Sequence, residues 1–270
     1  MTPSQREKLF AAGIGLAALL FLPPALAPEW GPVRSWLTEP LRLVVGGPTK
    51  LFFLALATAS AIRVARTLGS AHPARGAWWL FAAGLSLFCL GQATLVVYQL
   101  LLQVPTPFPS IADPFFLLGN LALVPALILQ LLAWKRAGLP LDPRRDLLGA
   151  GVATAAALAT VLVLALRPVV AAGGPAIEVA LNLAYPVCDA FFLLPTVLLL
   201  RLTWRLRGGT AASVWSSVLV GLVGLAAGDI AFAYLTGVGL ARLDSVVDLL
   251  FIAGYAAIAR GVLRQLDLLS

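Results

Sequence analysis

Histidine and cysteine are almost missing from this chain, which holds one His and two Cys in 270 residues. With so few, a haem held by two histidines is excluded within one chain, and no metal-ligand spacing exists. His72 stands in a short basic loop before Pro73 and reads as a solvated loop residue. Cys89 and Cys188 fall in apolar surroundings, where a free thiol packs as a small hydrophobe. Charge is scarce as well: 11% of residues are charged against 60% hydrophobic, with a mean hydropathy of +0.95. So little polar surface cannot enclose the apolar residues in one water-soluble core, which makes an integral membrane protein the expectation. Catalytic signatures are missing too. There is no metalloprotease-type Glu pair, no Ser/His dyad and no phosphate-cradling loop joined to a catalytic domain, so no enzyme and no cofactor is expected. Gly46-Gly47 and Gly173-Gly174 read as turns or close helix contacts.

What the chain has instead is long apolar runs. Eight of them, near Leu9–Pro28, Leu43–Ile62, Ala77–Val104, Pro114–Trp134, Leu147–Leu166, Ile177–Leu200, Val214–Thr236 and Val246–Leu266, approach the roughly 20 residues needed to cross about 30 Å of hydrocarbon. The expected fold is an all-α integral membrane domain, residues 1–270, with eight transmembrane helices paired as four repeated hairpins, about 9–66, 77–134, 147–204 and 214–266. Basic residues mark alternate connections: Arg6 and Lys8; Arg63, Arg66 and Arg75; Lys135, Arg136, Arg144 and Arg145; Arg201, Arg205 and Arg207; Arg260 and Arg264. By the positive-inside rule these ends, and both termini, are cytoplasmic. The other connections carry only Arg34, Arg42, Arg167 and Arg242, with Glu29, Glu39, Glu178 and Asp244 nearby. The net charge of +7 therefore reflects topology and makes no case for nucleic acid. An alternative start is a cleaved signal peptide, with Arg6 and Lys8 before the apolar region and Ala25-Leu-Ala27 as a cleavage-like site. Cleavage would leave seven helices, whereas Pro23-Pro24 and the pairing of the first two runs favour a retained helix.

Four segments share a theme: Lys50-Leu-Phe-Phe-Leu-Ala, Asp113-Pro-Phe-Phe-Leu-Leu, Asp189-Ala-Phe-Phe-Leu-Leu and Asp248-Leu-Leu-Phe-Ile-Ala each put one ionisable residue before an apolar run. Lys50 to Arg66, Asp189 to Arg205 and Asp248 to Arg264 are each sixteen residues apart, about 24 Å of helix. Asp113 departs from this ruler, with Gln130 near the expected basic position and Lys135 beyond it. A charge near hydrocarbon is costly unless paired, hydrated or protonated, which makes these slots candidate functional positions. Helix capping is the plain alternative for Asp113, Asp189 and Asp248. It suits Asp113 best, because Ser110 is placed to cap its helix and the Pro-rich stretch 104–109 should form an ordered outer cap. It suits Asp189 least, since Glu178, Asn182, Tyr185 and Pro186 already read as helix before it. Asp229 lies mid-run, where no cap explains it. Gln92 and Tyr98 are expected to reach toward the same interior or to act as polar glue. Trp78, Trp79, Trp134, Trp204 and Trp215 at the basic ends, and Trp30 and Trp36 in the first outer loop, read as interfacial belts.

Pro109-Ser-Ile-Ala-Asp113-Pro-Phe-Phe-Leu-Leu118 resembles the Pro-Ser-x-Ala-Asp motif in the multi-helix membrane sensor region of bacterial cyclic-di-GMP signalling proteins, where a GGDEF or EAL domain follows. Tyr185-Pro-Val-Cys-Asp189, Asp229 with Tyr234, and Asp248-Leu-Leu-Phe-Ile-Ala-Gly-Tyr255 are similar to further pieces of it. The resemblance covers roughly the third through eighth runs. It implies a sensory input module in the bacterial inner membrane that passes a signal through its last helix to a cytoplasmic signalling enzyme. No GGDEF or EAL segment stands between the last run and Ser270.

Taken together, the residues predict a polar outer vestibule formed by Lys50, Asp113, Asp189, Asp229 and Asp248, with Tyr185 and Tyr255 at its edge and Lys50 as the counter-charge. Its acidic excess favours a cation or an amine as ligand, or else holds some of the Asp groups protonated through desolvation and like-charge repulsion. Output is expected at Arg260-Gly-Val-Leu-Arg264, acting on a cytoplasmic partner or within a homo-oligomer. The alternative is a small proton- or cation-coupled transporter or channel.

Overall fold

A computed structural model describes residues 3–26, 39–104, 106–138, 143–161, 163, 167–205, 209–240 and 243–269. Among them lie nine α-helices: α1 (Pro3–Leu26), α2 (Glu39–Thr67), α3 (Arg75–Val96), α4 (Ala112–Arg136), α5 (Pro143–Val161), α6 (Arg167–Ala172), α7 (Ala176–Arg205), α8 (Thr210–Gly237) and α9 (Asp244–Asp267). A π-helical turn, Val97–Leu101, extends α3. Trp30, Trp36, Arg34, Arg207, Arg242 and Glu29 lie outside the described residues.

Among the described residues six helices, where eight were expected, are long and apolar enough to cross a membrane: Leu41–Thr67, Arg75–Leu101, Ala112–Arg136, Ala176–Leu202, Thr210–Leu235 and Asp244–Asp267. The two other expected spans are not among these six. The apolar part of α1 is Phe10–Pro23, less than the roughly 20 residues a crossing needs. Helix α5 opens Pro-Arg-Arg-Asp, so its apolar part begins at Leu147; residues 162 and 164–166 of the expected span lie outside the described residues.

The six long helices close into a ring. Each packs on the next in the order α2, α3, α4, α7, α8, α9, and α9 returns to α2. Helix α5 lies outside on α7, and α1 packs on α9. Three of the expected pairs therefore pack as neighbours, α3 with α4, α5 with α7 and α8 with α9, while α1 takes α9 as its main partner in place of α2. It still touches α2, through the stacked rings of Phe10 and Phe53.

Small residues let the ring close tightly. A Cβ on Gly221 of α8 would lie 2.6 Å from the Gly254 carbonyl oxygen of α9, and Gly84 of α3 and Gly119 of α4 face each other in the same way at 3.1 Å. In lipid, where burial of apolar side chains supplies little drive, such close backbone contact carries helix association. Outward positions such as Leu19, Phe52, Leu121, Phe191 and Val220 are exposed, as expected of side chains facing lipid.

The tryptophans correct the expected belt. Trp78 of α3 and Trp215 of α8 are buried, with ring centroids 5.6 Å apart, and Trp134 of α4 meets Trp215 edge-on at 5.7 Å. Phe81 adds an edge contact to Trp78. These rings fill the ring interior at its basic end. Trp79 is exposed, so it alone of these four keeps an outward position suited to anchoring.

Candidate functional site

At the opposite end the ring interior opens into a cavity of about 460 Å³. All seven residues singled out from the sequence, Lys50, Asp113, Tyr185, Asp189, Asp229, Asp248 and Tyr255, line it. They come from five of the six ring helices, and α3 adds Gln92 and Gln99. The connection before α4 contributes Thr106, Pro107, Phe108 and Ser110 to the lining, at the place where an outer cap was expected.

One wall is ionic. Lys50 Nζ lies 2.8 Å from Asp248 Oδ1, and Arg42 Nη1 lies 3.1 Å from Asp248 Oδ2. Arg42 also approaches Asp244 Oδ2 at 3.9 Å. Asp244 and Asp248 are one turn apart on α9, and Arg42 and Lys50 two turns apart on α2, so two helix faces interlock by charge. Sequence reading missed Arg42 and Asp244 as members of the site, because both stand where a run begins and read as loop charges. The eight-residue interval between Arg42 and Lys50 was the available signal.

A second wall is built at the start of α4. Asp113 Oδ2 accepts hydrogen bonds from the Ser110 backbone N–H at 2.5 Å and from the Ser110 hydroxyl at 3.1 Å, while Ser110 Oγ accepts from the Ala112 N–H at 3.2 Å. This reciprocal arrangement follows capping-box logic, with the short carboxylate reaching back to the chain that enters the helix. The remaining oxygen, Oδ1, accepts the Tyr185 hydroxyl at 2.5 Å. Asp113 is thus both a helix-start residue and a tie between α4 and α7.

The same cavity brings Asp189 of α7 and Asp229 of α8 close enough for their carboxyl groups to interact. Asp189 is buried, and its Oδ2 receives no hydrogen bond. Ionised carboxylates only accept hydrogen bonds, so neither can satisfy the other as a donor. Tyr255 stands beside this pair with its ring stacked on Phe251, centroids 6.3 Å apart. Lys50 does not face the pair, as a single counter-charge for the vestibule would, because Asp248 already holds it.

Gln92 does reach the interior, donating to the Gly47 carbonyl at 3.4 Å. Its expected companion Tyr98 does not line the cavity; Gln99 does. Ordinary helix periodicity explains the exchange: Gln99 is seven residues from Gln92 and shares its face, whereas Tyr98, six residues away, points about 120° to the side. Tyr234 is exposed and lies away from the cavity lining. Gly46 and Gly47 sit inside α2 as close-contact positions, whereas Gly173 and Gly174 adopt positive φ in a turn.

At the basic end, Glu7 of α1 is held between Arg260 and Arg264 of α9. Arg260 Nε lies 2.6 Å from Oε2 and Arg264 Nε 2.8 Å from Oε1. The same guanidinium groups also donate to Ser217, at 3.2 Å, and to Ser213 of α8. The expected output segment is therefore a clasp that joins three helices. No protein-family model, curated protein or solved structure matches the chain.

Proposed function

We propose that this chain is a membrane-embedded sensory input module, in which a small ligand enters the polar cavity and shifts the packing of the ring helices. A cytoplasmic signalling enzyme would read that shift. The observation that carries the reading is the one-ended interior: polar residues from all six ring helices converge at one end, and buried Trp78 and Trp215, with half-buried Trp134 against them, occupy the other. A ligand there touches every helix of the ring, so it can favour one arrangement over another by differential contact. The basic end would face the cytoplasm of a bacterial inner membrane, with both termini on that side and α1 and α5 completing an eight-helix topology. The resemblance of Pro109–Asp113 to cyclic-di-GMP sensor regions supports the choice of partner.

The test places spin labels at Ser70 and Leu268, beyond the basic ends of α2 and α9, in a background with both native cysteines replaced by Ala. Distances would be measured in nanodiscs for the otherwise unchanged protein, Asp189→Asn and Asp229→Asn. Neutralising the cavity pair should move the distance distribution at the far end. Unchanged distributions in both variants would sink the relay.

One observation favours a second reading, a proton- or cation-coupled transporter: two facing carboxyls at membrane depth are a common ion-handling device. Proteoliposome flux abolished by Asp229→Asn would establish transport in place of sensing. The aromatic fill at the basic end argues against it, because it interrupts any polar path through the ring.

A further inference from the structure

We propose that the cavity is a receptor site for a primary organic ammonium, a protonated amine carried on a compact apolar or aromatic body. This rests on the ligand-binding reading above and names the ligand class.

The first argument is an unmet demand for donors. Asp189 is 4% exposed, its Oδ2 receives no hydrogen bond, and the charged group facing it is another carboxylate, Asp229. Buried acceptors left unsatisfied are costly, and a group that brings both positive charge and N–H donors relieves both problems at once. A quaternary ammonium supplies the charge without the donors, so a primary amine fits better.

The second argument is the charge distribution along the cavity. Its two cations, Arg42 and Lys50, are engaged by Asp248, with Asp244 close by. An anionic ligand would have to displace a carboxylate already in place. A cation meets two acidic side chains that have no basic partner in the cavity wall. Among the lining residues five carboxylates stand against two cations, so an added positive charge reduces the imbalance.

Size and wall chemistry decide between a bare ion and an organic cation. A volume of about 460 Å³ belongs to the range of small-molecule sites, roughly 300–1,000 Å³. Among the described residues no group of three or more His, Cys, Asp or Glu is arranged to hold a metal ion. Aromatic side chains from three helices, Tyr185 and Phe192 of α7, Phe232 of α8, and Phe251 and Tyr255 of α9, line the same cavity, and Phe251 already carries the Lys50 ammonium 5.9 Å from its ring centroid. Their faces attract a cation and their area accepts an apolar body. Asp189 and Asp229 would bind the ammonium head, and the aromatic wall would set the shape of the tail.

The experiment is calorimetric titration of the full chain in nanodiscs, with empty nanodiscs subtracted to remove partitioning into lipid. The probes are 2-phenylethylammonium, its neutral isostere 2-phenylethanol and the quaternary benzyltrimethylammonium. The primary ammonium should bind saturably and at least about tenfold more tightly than either comparison probe, as hydrogen bonds to charged groups require. Asp189→Asn and Asp229→Asn should each weaken it by about tenfold or more. Equal binding of the alcohol or the quaternary probe overturns the proposal. So does a lack of saturable binding up to millimolar probe, or binding that both Asn variants leave intact. The comparison of probes needs no variant and stands even where a substitution impairs folding. Ammonium binding that leaves the Ser70–Leu268 distances unmoved would keep the ligand class and remove the relay. Far-end movement in the Asn variants without ammonium preference would do the reverse.

Discussion

The Lys50 ammonium stands 2.8 Å from Asp248 Oδ1, joining residues 198 positions apart in the chain. With Arg42 on the other oxygen at 3.1 Å, this carboxylate is fully engaged. The contact locks α2 to α9, the seam at which the ring closes, and it leaves the Asp189 and Asp229 pair without a basic neighbour in the cavity. One cavity thus has two different walls, a paired ionic one that holds the ring shut and a carboxyl one available to a ligand.

Replacing Lys50 by Met should destabilise the protein by about 1–3 kcal/mol, since one partner of a largely buried pair is lost while Arg42 still serves Asp248. Adding Asp248→Leu should recover part of that loss, because the uncompensated charge is then gone. Unfolding in mixed micelles titrated with SDS measures both. A Lys50→Met protein as stable as the parent would show that the seam does not depend on this pair.

Tyr185 and Asp113 should be energetically coupled. A double-mutant cycle with Tyr185→Phe and Asp113→Asn is expected to give an interaction energy of about 1.5–3 kcal/mol, the range for hydrogen bonds to charged groups. Asp113→Asn should cost more than Tyr185→Phe, because it also disturbs the helix start at Ser110. Additive effects would mean that the 2.5 Å contact contributes nothing in the bilayer.

The glycine seam gives a steric prediction with an internal control. At Gly221 an added methyl would press on the Gly254 backbone oxygen at 2.6 Å, whereas at Gly15 nothing lies within 4 Å. Gly221→Ala should therefore destabilise by about 1–3 kcal/mol through forced backbone separation. Gly15→Ala should be neutral or stabilising by up to about 1 kcal/mol, from helix propensity. Thermal unfolding followed by circular dichroism ranks the two.

Acid should loosen the clasp at the basic end. Burial pushes the Glu7 carboxyl up, but hydrogen bonds and charges from Arg260 and Arg264 outweigh it and hold the carboxyl below its ordinary value of 4.5. A carboxylate depressed on folding stabilises the fold above its unfolded value, and the contribution disappears as pH falls through the folded one. Glu7 is about one-third exposed, so solvent screening limits the effect to under about 1 kcal/mol. Unfolding midpoints below pH 4.5 should fall faster for the parent than for Glu7→Gln. Parallel curves would remove the clasp as a source of stability.

Much of the local chemistry is legible in the amino-acid sequence. Ser110 and Asp113 form the helix start that their spacing predicts, Thr106, Pro107 and Phe108 of the outer connection line the cavity, and Asp229 lies inside the bundle. Each depends on neighbours within a few residues, and sequence reports those directly. Arg42 is less readable: a base at the start of an apolar run looks like a loop charge until the facing helix is known. Gln99 was legible as the companion of Gln92, because seven residues make two helical turns, whereas Tyr98 at six residues falls about 120° off that face. The tryptophans mislead for a related reason. Their position along each helix sets membrane depth, but only the rotation of that helix sets whether they face lipid or the ring interior.

Hydropathy and charge alternation alone settle that this is a multi-pass helical membrane protein, since the cost of placing a residue in hydrocarbon depends on its own chemistry and that of its immediate neighbours. The closed ring of six helices, the division of its charges into a paired wall and an unpaired one, and the aromatic fill at one end were decided by tertiary packing. Those features depend on the rotation and register of helices far apart in the chain, where one residue of slip turns a side chain by about 100° and changes the partner it meets.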